Sequence, residues 1–354
     1  MIVVNARFLT QKLTGVQRFS IELSVRLKKV FKDEIMFVSP YGVVHKDIAK
    51  ELDAEILGSH VGHLWEQLDL PKYLHSIGTP LLICFGNTAP VLYPNKISTL
   101  HDVTFLKYSN TYSWKFRLFY RILIPMVLRT SRKVLTVSGF SKEEIRSVYG
   151  LAGEKVTVIY NAVSSMFCLL KEKLTDEIYL LAVSSLKENK NFEMVISAYQ
   201  TAKLSVHNLK LYIIGDLSES SFGANVNLIK KIETDSDIKL LGRISDAELV
   251  RYYNNALAFI FPSFYEGFGI PVLEAQACGC PVVASNSSSL PEVLADSALL
   301  CEPNDQRAFA DAIIRLSVDK RLSSHLIEKG LKNLERFSWN KSAHDVMEVI
   351  KSMV

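Results

Sequence analysis

The chain is poor in cysteine, and the five it has show no pattern. Cys84, Cys168, Cys278, Cys280 and Cys301 are odd in number and scattered, which argues against a disulfide framework and for a reducing compartment. Cys278-Gly-Cys280 resembles half of a metal site, but no second Cys/His pair stands at ligand spacing, so buried thiols are the expected reading. No apolar run approaches the roughly 20 residues that span a bilayer. The opening Met-Ile-Val-Val-Asn-Ala-Arg-Phe-Leu lacks a signal peptide's order of basic segment, apolar run and small-residue cleavage site. It reads as a core strand, and the chain is expected in the cytoplasm, or peripherally on the inner face of the cytoplasmic membrane. Internal repeats and low-complexity stretches are also missing, and disorder is not indicated. No Gly-x-Gly-x-x-Gly follows a strand with an acidic residue about 20 positions on, which weakens a dinucleotide-dependent dehydrogenase.

What is present points to two domains. A length of 354 residues exceeds one typical domain, and 48% hydrophobic against 22% charged residues lets each half bury a core. The net charge of +4 is unevenly spread: residues 1–175 hold 23 Lys/Arg against 14 Asp/Glu, and residues 176–354 hold 18 against 23. A basic first half fits a polyanionic partner, whether lipid headgroups, a phosphate-bearing acceptor or nucleic acid. The plainer reading is a solvated surface of mixed charge.

Short β-branched runs alternate with longer amphipathic stretches. The runs at 2–4, 36–39, 81–84, 96–100 and 133–137 read as strands of the first half, and those at 178–183, 209–214, 238–240, 258–261 and 281–284 as strands of the second. Helical periodicity covers 16–30, 114–130, 141–149, 191–203, 246–255, 271–278 and 307–318. This order predicts parallel sheets covered by helices. Ser141-Lys-Glu-Glu144 reads as a capping box and Asp246 as an N-cap. The βα series restarts near 176, after an aperiodic stretch at 162–175. The expected division is an N-terminal domain at 1–164, a C-terminal domain at 165–335, and a C-terminal helix at 336–354.

The most informative segment is Phe261-Pro-Ser-Phe-Tyr-Glu-Gly-Phe-Gly-Ile-Pro-Val-Leu-Glu-Ala275. A strand runs into a turn with two glycines and then into a helix, with Pro271 expected at its first position. Such a junction points backbone N–H groups and a helix dipole at an anion, and Gly267 and Gly269 let the backbone approach it closely. Glu274, one turn in, is placed to accept hydrogen bonds from a diol.

Glu266-x7-Glu274, continuing into Ala-Gln-Ala-Cys-Gly-Cys-Pro-Val-Val-Ala-Ser285, resembles the signature of retaining glycosyltransferases of family 4. The likeness runs on. Thr14-Gly-Val-Gln-Arg-Phe19 is similar to the family's first glycine loop and His101-Asp102 to its His-Asp pair. Thr136-Val-Ser-Gly-Phe-Ser141 and Val158-Ile-Tyr-Asn-Ala162 are similar to its pre-linker motifs. Leu186-Lys-Glu-Asn-Lys-Asn191 resembles its donor-phosphate lysine motif, and Phe337-Ser-Trp-Asn-Lys-Ser-Ala343 the start of a helix that crosses back to the first domain.

The resemblance implies an α/β GT-B fold, two Rossmann-like doubly wound domains facing across a cleft, the N-terminal one (1–164) binding the acceptor and the C-terminal one (165–335) the nucleotide sugar. It implies that Glu266 contacts the donor sugar and Glu274 the ribose, and that Lys190 meets the leaving pyrophosphate, where negative charge develops. Backbone groups of Gly267, Phe268, Gly269 and Ile270 assist. Gly15 offers N–H groups from the other wall, and His101 stands near donor sugar and acceptor. A lone histidine is more often structural, and it is the match to the His-Asp pair that favours function.

Two departures stand out. Ser184-Ser185 occupy the region where many members carry a second pyrophosphate cation, for which Arg243 or Arg18 is the candidate substitute, so Ser185 and Arg243 join the donor-binding set. Tyr160 and Ala162 replace the commoner proline and glycine.

The implied reaction retains anomeric configuration, with the leaving phosphate deprotonating the acceptor. No Asp-x-Asp clamp is present, and neither cofactor nor essential metal is expected. Similarity to bacterial mannosyl- and rhamnosyltransferases of surface polysaccharides favours a GDP-sugar and a glycan acceptor, lipid-linked, in O-antigen, capsule or exopolysaccharide synthesis. A UDP-hexose is the alternative donor. Lys107–Arg121 interleaves aromatics with cations, which suits either an interfacial helix on anionic lipid or a core helix with solvated cations. Single-stranded nucleic acid is remote as a partner. An epimerase or hydrolase on the same scaffold, or a non-catalytic nucleotide-sugar-binding subunit, are the competing readings. Lys190, Glu266 and Glu274 speak against the last.

Overall fold

The first strand, β1 (Ile2–Asn5), is buried along its whole length and pairs parallel with a neighbour on each side. A strand so placed needs helical crossovers and cover on both faces of its sheet. The structure is a computed structural model that describes all residues except 110–111, 172–174, 185–186, 216–231, 233 and 354. It divides into two compact units.

The first unit comprises Met1–Lys107, Tyr112–Asn161 and Ser338–Val354. Its seven parallel strands lie in the order β3-β2-β1-β4-β5-β6-β7. After β1 these are β2 (Ile35–Ser39), β3 (Glu55–Ile56), β4 (Leu81–Cys84), β5 (Lys96–Thr99), β6 (Lys133–Thr136) and β7 (Val156–Val158). The second unit, Tyr108–Thr111 with Ala162–Phe337, orders six parallel strands β10-β9-β8-β11-β12-β13. They are β8 (Tyr179–Val183), β9 (Lys210–Ile214), β10 (Ile238–Gly242), β11 (Ala258–Phe261), β12 (Val282–Ser285) and β13 (Leu299–Cys301). Each order reverses once, between β1 and β4 and between β8 and β11. Loops part there at the carboxyl ends of the strands, the usual ligand position in an open parallel sheet.

Helix α1 (Gly15–Phe31) buries Phe19, Leu23 and Leu27, a four-residue stripe. The last helix of the chain, Trp339–Lys351, packs in this same unit: Trp339 meets Phe19 edge-on at 6.2 Å, and Ser342 Oγ donates to the Tyr160 carbonyl at 2.6 Å. In the second unit, Phe192, Ile196 and Tyr199 of one helix and Phe309 and Ile313 of another close over Leu180, Ile213 and Ile260 of the sheet.

Three details correct the sequence reading. The helix expected from Ser141 begins at Gly139, and Ser138 is its cap, accepting from Ser141 N at 3.0 Å. Ser141 is itself fully buried inside the first turn. The helix Asp246–Asn255 is capped one residue before Asp246, by Ser245, in a reciprocal box with Glu248. Helix α2 (Trp114–Thr130) is only partly core. Leu123, Ile124, Val127 and Leu128 are buried, while Trp114, Leu118, Ile122 and Met126 stand exposed at four-residue spacing on another face.

Candidate active site

At the switch point of the second unit, the loop after β8 meets the loop after β11. They are stitched together by main-chain and amide groups. Phe264 N donates to the Asn189 carbonyl (2.9 Å), and Asn189 Nδ2 donates to the Tyr265 carbonyl (3.2 Å). Asn191 sits at φ 54, a left-handed conformation that asparagine tolerates. Its Nδ2 donates to the carbonyls of Pro262 (3.1 Å) and Pro303 (2.8 Å). The stitching carries Lys190 against Glu266: Nζ lies 2.7 Å from Oε1 and 2.9 Å from Oε2. Both groups remain partly open, at 20% and 11% side-chain exposure, so a ligand has access to the pair.

A serine run after β12 braces Glu266 from behind. Ser288 Oγ accepts from Glu266 N (3.0 Å), and Ser289 Oγ donates to the Glu266 carbonyl (3.0 Å). Gly269 then turns the chain at φ 95, a conformation that favours glycine, and a Cβ there would press on Leu290 Cδ2 at 2.9 Å. Helix α3 (Ile270–Ala277) starts from it, and Gly269 supplies no side-chain cap to its first N–H groups. Pro271 stands one position later than expected, second in the helix after Ile270.

Glu274 lies on α3 and is buried beside Tyr253, whose hydroxyl is pushed well above its usual pKa by burial and by the Glu274 charge. Phe268 turns its ring inward, edge-on to Phe337 at 5.5 Å, and contributes packing. Gly267 opens the turn beside it. Arg243 is exposed in the loop after β10, at the carboxyl end of the same sheet. Ser185 lies outside the described residues.

His101 and Gly15 belong to the first unit. Gly15 is the first residue of α1, behind Thr14. His101 follows β5 and is buried, with Nε2 3.0 Å from the Phe85 carbonyl and its ring 4.9 Å from Phe19. A carbonyl only accepts, so Nε2 carries the proton. Burial holds its pKa below the usual histidine value, against the opposing pull of the Phe85 carbonyl and Asp102. The ring is therefore neutral at physiological pH.

Two groups escaped the sequence reading. Asn189 and Asn191 stand inside the lysine motif, but their stitching role and that of the serines at 287–289 show only when the loops meet. The other is a buried network at the first unit's switch point, built on Arg7 and Glu66. Cys278 and Cys280 are buried thiols, Cys278 pushed up to about 12 by burial. Among the described residues, no three His, Cys, Asp or Glu side chains converge as a metal site would need, and no helix is long and apolar enough to cross a membrane.

Residues 42–165 match the model of Glycosyltransferase Family 4, and residues 171–333 match that of Glycosyl transferases group 1. O-antigen chain mannosyltransferase B of Escherichia coli is 30% identical over 234 residues, 63% of this chain and 61% of that protein, so the match spans about three fifths of its length. O-antigen chain mannosyltransferase RfbU of Salmonella typhimurium is 29% identical over 329 residues, 88% of this chain and 90% of that one. Among solved structures, Anabaena HepE in complex with UDP and glucose superposes with a TM-score of 0.77 at 16% identity, covering 99% of both chains.

Proposed function

The chain belongs to the glycosyltransferases built from a Family 4 domain followed by a group 1 domain, in a GT-B fold, and we propose that it is a retaining, metal-independent hexosyltransferase. The donor is a GDP-sugar of the mannose type. The acceptor is a glycan, carried on lipid, in the synthesis of a surface polysaccharide such as O-antigen. The names of the E. coli and S. typhimurium relatives support the sugar and the setting. A UDP-hexose is the second donor to test, since HepE was crystallised with UDP and glucose.

One observation carries the reading: the Lys190–Glu266 pair, held by two stitched loops at a sheet's switch point beside the start of α3. Breaking a sugar–pyrophosphate bond leaves growing negative charge on the diphosphate, and a fixed cation with helix N–H groups stabilises that charge more in the transition state than before it. Without donor, Glu266 balances the Lys190 charge. With donor, the diphosphate takes over Lys190, and Glu266 is released to accept hydrogen bonds from the sugar hydroxyls. Glu274, on the same helix, receives the ribose diol. A cation already in place performs the charge-stabilising task that a divalent metal performs elsewhere. A binding subunit without catalysis has no need of a lysine at the leaving group.

The second unit thus holds the donor and the first the acceptor, with His101 offered as a neutral hydrogen-bonding group. The exposed apolar stripe of α2 carries Lys115, Arg121 and Arg129 around it and contains no acidic residue. That composition suits the anionic inner face of a membrane, where a lipid-linked acceptor would be met.

The test is transfer from GDP-mannose or UDP-glucose to a panel of lipid-linked glycans in EDTA, with the product's anomeric configuration read by NMR. The expected result is metal-free transfer that keeps the donor's α configuration. Inversion, or activity that returns only with Mn²⁺, would overturn the reading.

A further inference from the structure

The donor chemistry leaves the first unit's switch point unused, and the residues there are assembled as a binding site. Asn5 ends β1 and Arg7 follows it, while Cys84 ends β4 and Thr88 lies just beyond. Opposite them stands Glu66, on a π-helical turn, Trp65–Asp69. Such turns recur at functional sites. Trp65 anchors it, fully buried, with Nε1 donating to the Leu57 carbonyl at 2.8 Å.

Glu66 is 1% exposed and fully engaged. Its Oε1 accepts from Asn5 Nδ2 (2.7 Å) and Arg7 Nε (3.3 Å), and its Oε2 from Thr88 Oγ1 (2.6 Å). Burial by itself would raise this carboxyl. The Arg7 charge, the Thr88 hydrogen bond and the nearby His63 ring outweigh burial, so its pKa lies below the usual glutamate range. Arg7 is fixed twice more, by Nη2 donating to Thr88 Oγ1 (2.7 Å) and by its main-chain N–H donating to Asn5 Oδ1 (3.1 Å).

Stability does not account for this network, because a buried ion pair seldom outperforms a well-packed apolar pair of the same volume. Its effect is to hold a guanidinium in one orientation without using it up. The Nη1 amino group of Arg7 makes no hydrogen bond to any described residue, and 11% of the side chain stays exposed. Aromatic rings stand beside it. Tyr120 lies close enough for the Arg7 and Glu66 charges to act on its hydroxyl, though burial dominates and raises it. Its ring stacks on Phe116 (4.0 Å, 22°), which stacks on Tyr112 (5.0 Å, 11°). His63 is 3.5 Å from Glu66 and 4.9 Å from the Phe119 ring.

Fixed N–H donors beside ring faces suit a sugar, whose hydroxyl oxygens accept while its C–H face lies on an aromatic. Glu66 already neutralises Arg7, so the cluster favours neutral hydroxyls over phosphate. We propose that this cluster is the subsite for the acceptor's terminal sugar, a neutral hexose or deoxyhexose, with Arg7 the contacting residue and Glu66 the positioning residue. The inference rests on the glycosyl-transfer reading and names the residues of the first unit that select the acceptor.

Saturation-transfer NMR with methyl α-mannopyranoside and methyl β-N-acetylglucosaminide tests it, with inorganic phosphate as charged competitor and GDP and UDP thermal shifts as control. At least one glycoside is expected to bind the wild-type chain. Arg7→Lys keeps the charge but loses the fork, and should weaken that binding tenfold or more, as loss of a charge-assisted hydrogen bond does. Glu66→Gln should do likewise, and in both variants the nucleotide-induced shift should persist, which a merely structural role would not give. If Glu66→Gln does not fold, Arg7→Lys decides alone. Unchanged glycoside binding in Arg7→Lys, displacement of the glycoside by phosphate, or absence of glycoside binding while a nucleotide still binds would each overturn the subsite. Absence of any nucleotide shift in the wild-type chain would instead remove the donor reading on which it stands.

Discussion

Lys96 has no exposed surface, yet it opens a central strand of the first sheet. Its Nζ donates to the Tyr93 carbonyl (2.8 Å) and to Thr130 Oγ1 (2.7 Å), which satisfies the ammonium without an opposing charge. Burial, with Lys155 nearby, pushes its pKa down from 10.5 to about 8. The unfolded chain therefore holds this proton over a pH range in which the folded chain has released it, and stability rises with pH across that range. The penalty is in place below about pH 8 and lifts toward pH 10. Between pH 7 and 10 the wild-type chain should gain up to roughly 3 kcal/mol on Lys96→Met in chemical denaturation. Parallel pH profiles would contradict this. At the same scale, Lys190 and Glu266 were legible because they sit in short motifs with their own chemistry. Arg7 and Glu66 were not. They are 59 residues apart in sequence, and a glutamate within Trp-Glu-Gln-Leu reads as an ordinary helix surface until folding buries it.

Among the elements, strands rich in Val, Ile and Leu were visible because both faces of a parallel sheet demand apolar side chains. Those that escaped are short or poorly covered. β3 is two exposed residues, and β13 is three residues, mostly half-buried. The helix Lys320–Asn333 buries only Leu326, Gly330 and Asn333, too thin a stripe for periodicity to reveal. Helix starts were legible in type but not in register, because Ser-Gly-Phe-Ser and Ser-Asp each offer two caps and tertiary packing chooses one. For α2 the sequence left core and interface level, and the structure buries one face and leaves an apolar stripe exposed on another, which the membrane proposal uses. Flotation should therefore show binding to phosphatidylglycerol-containing vesicles, little binding to phosphatidylcholine, and release in about 0.5 M salt, where screening is short-ranged. Leu118→Ser with Ile122→Ser, both at exposed positions, should reduce it without loss of fold. Equal binding to neutral vesicles, or full binding by the double variant, would count against the membrane face.

At the scale of the whole molecule, the chain builds the same architectural device twice and equips the copies differently. The second unit's switch point carries a partly open Lys–Glu pair at a helix start, for which we propose a charged leaving group as ligand. The first unit's carries an internally neutralised Arg–Glu pair beside aromatic rings, for which we propose an uncharged sugar. The basic excess of residues 1–175 is consistent with that second set, since its charge lies outside the pair, on exposed faces such as that of α2. The fold was legible because strand spacing and family-like motifs agree. The Arg7–Glu66 network was not, because it depends on contacts between loops far apart in sequence.

Lys190 is proposed to receive a nucleoside diphosphate. Calorimetric titration of GDP and UDP in EDTA, with the wild-type chain and Lys190→Ala, tests it most directly. At least one nucleotide should bind the wild-type chain and lose tenfold or more in affinity on Lys190→Ala, with the unfolding midpoint little changed, as expected for loss of a charge-assisted contact. Equal affinity in the two proteins, or binding only after Mn²⁺ is added, would contradict it.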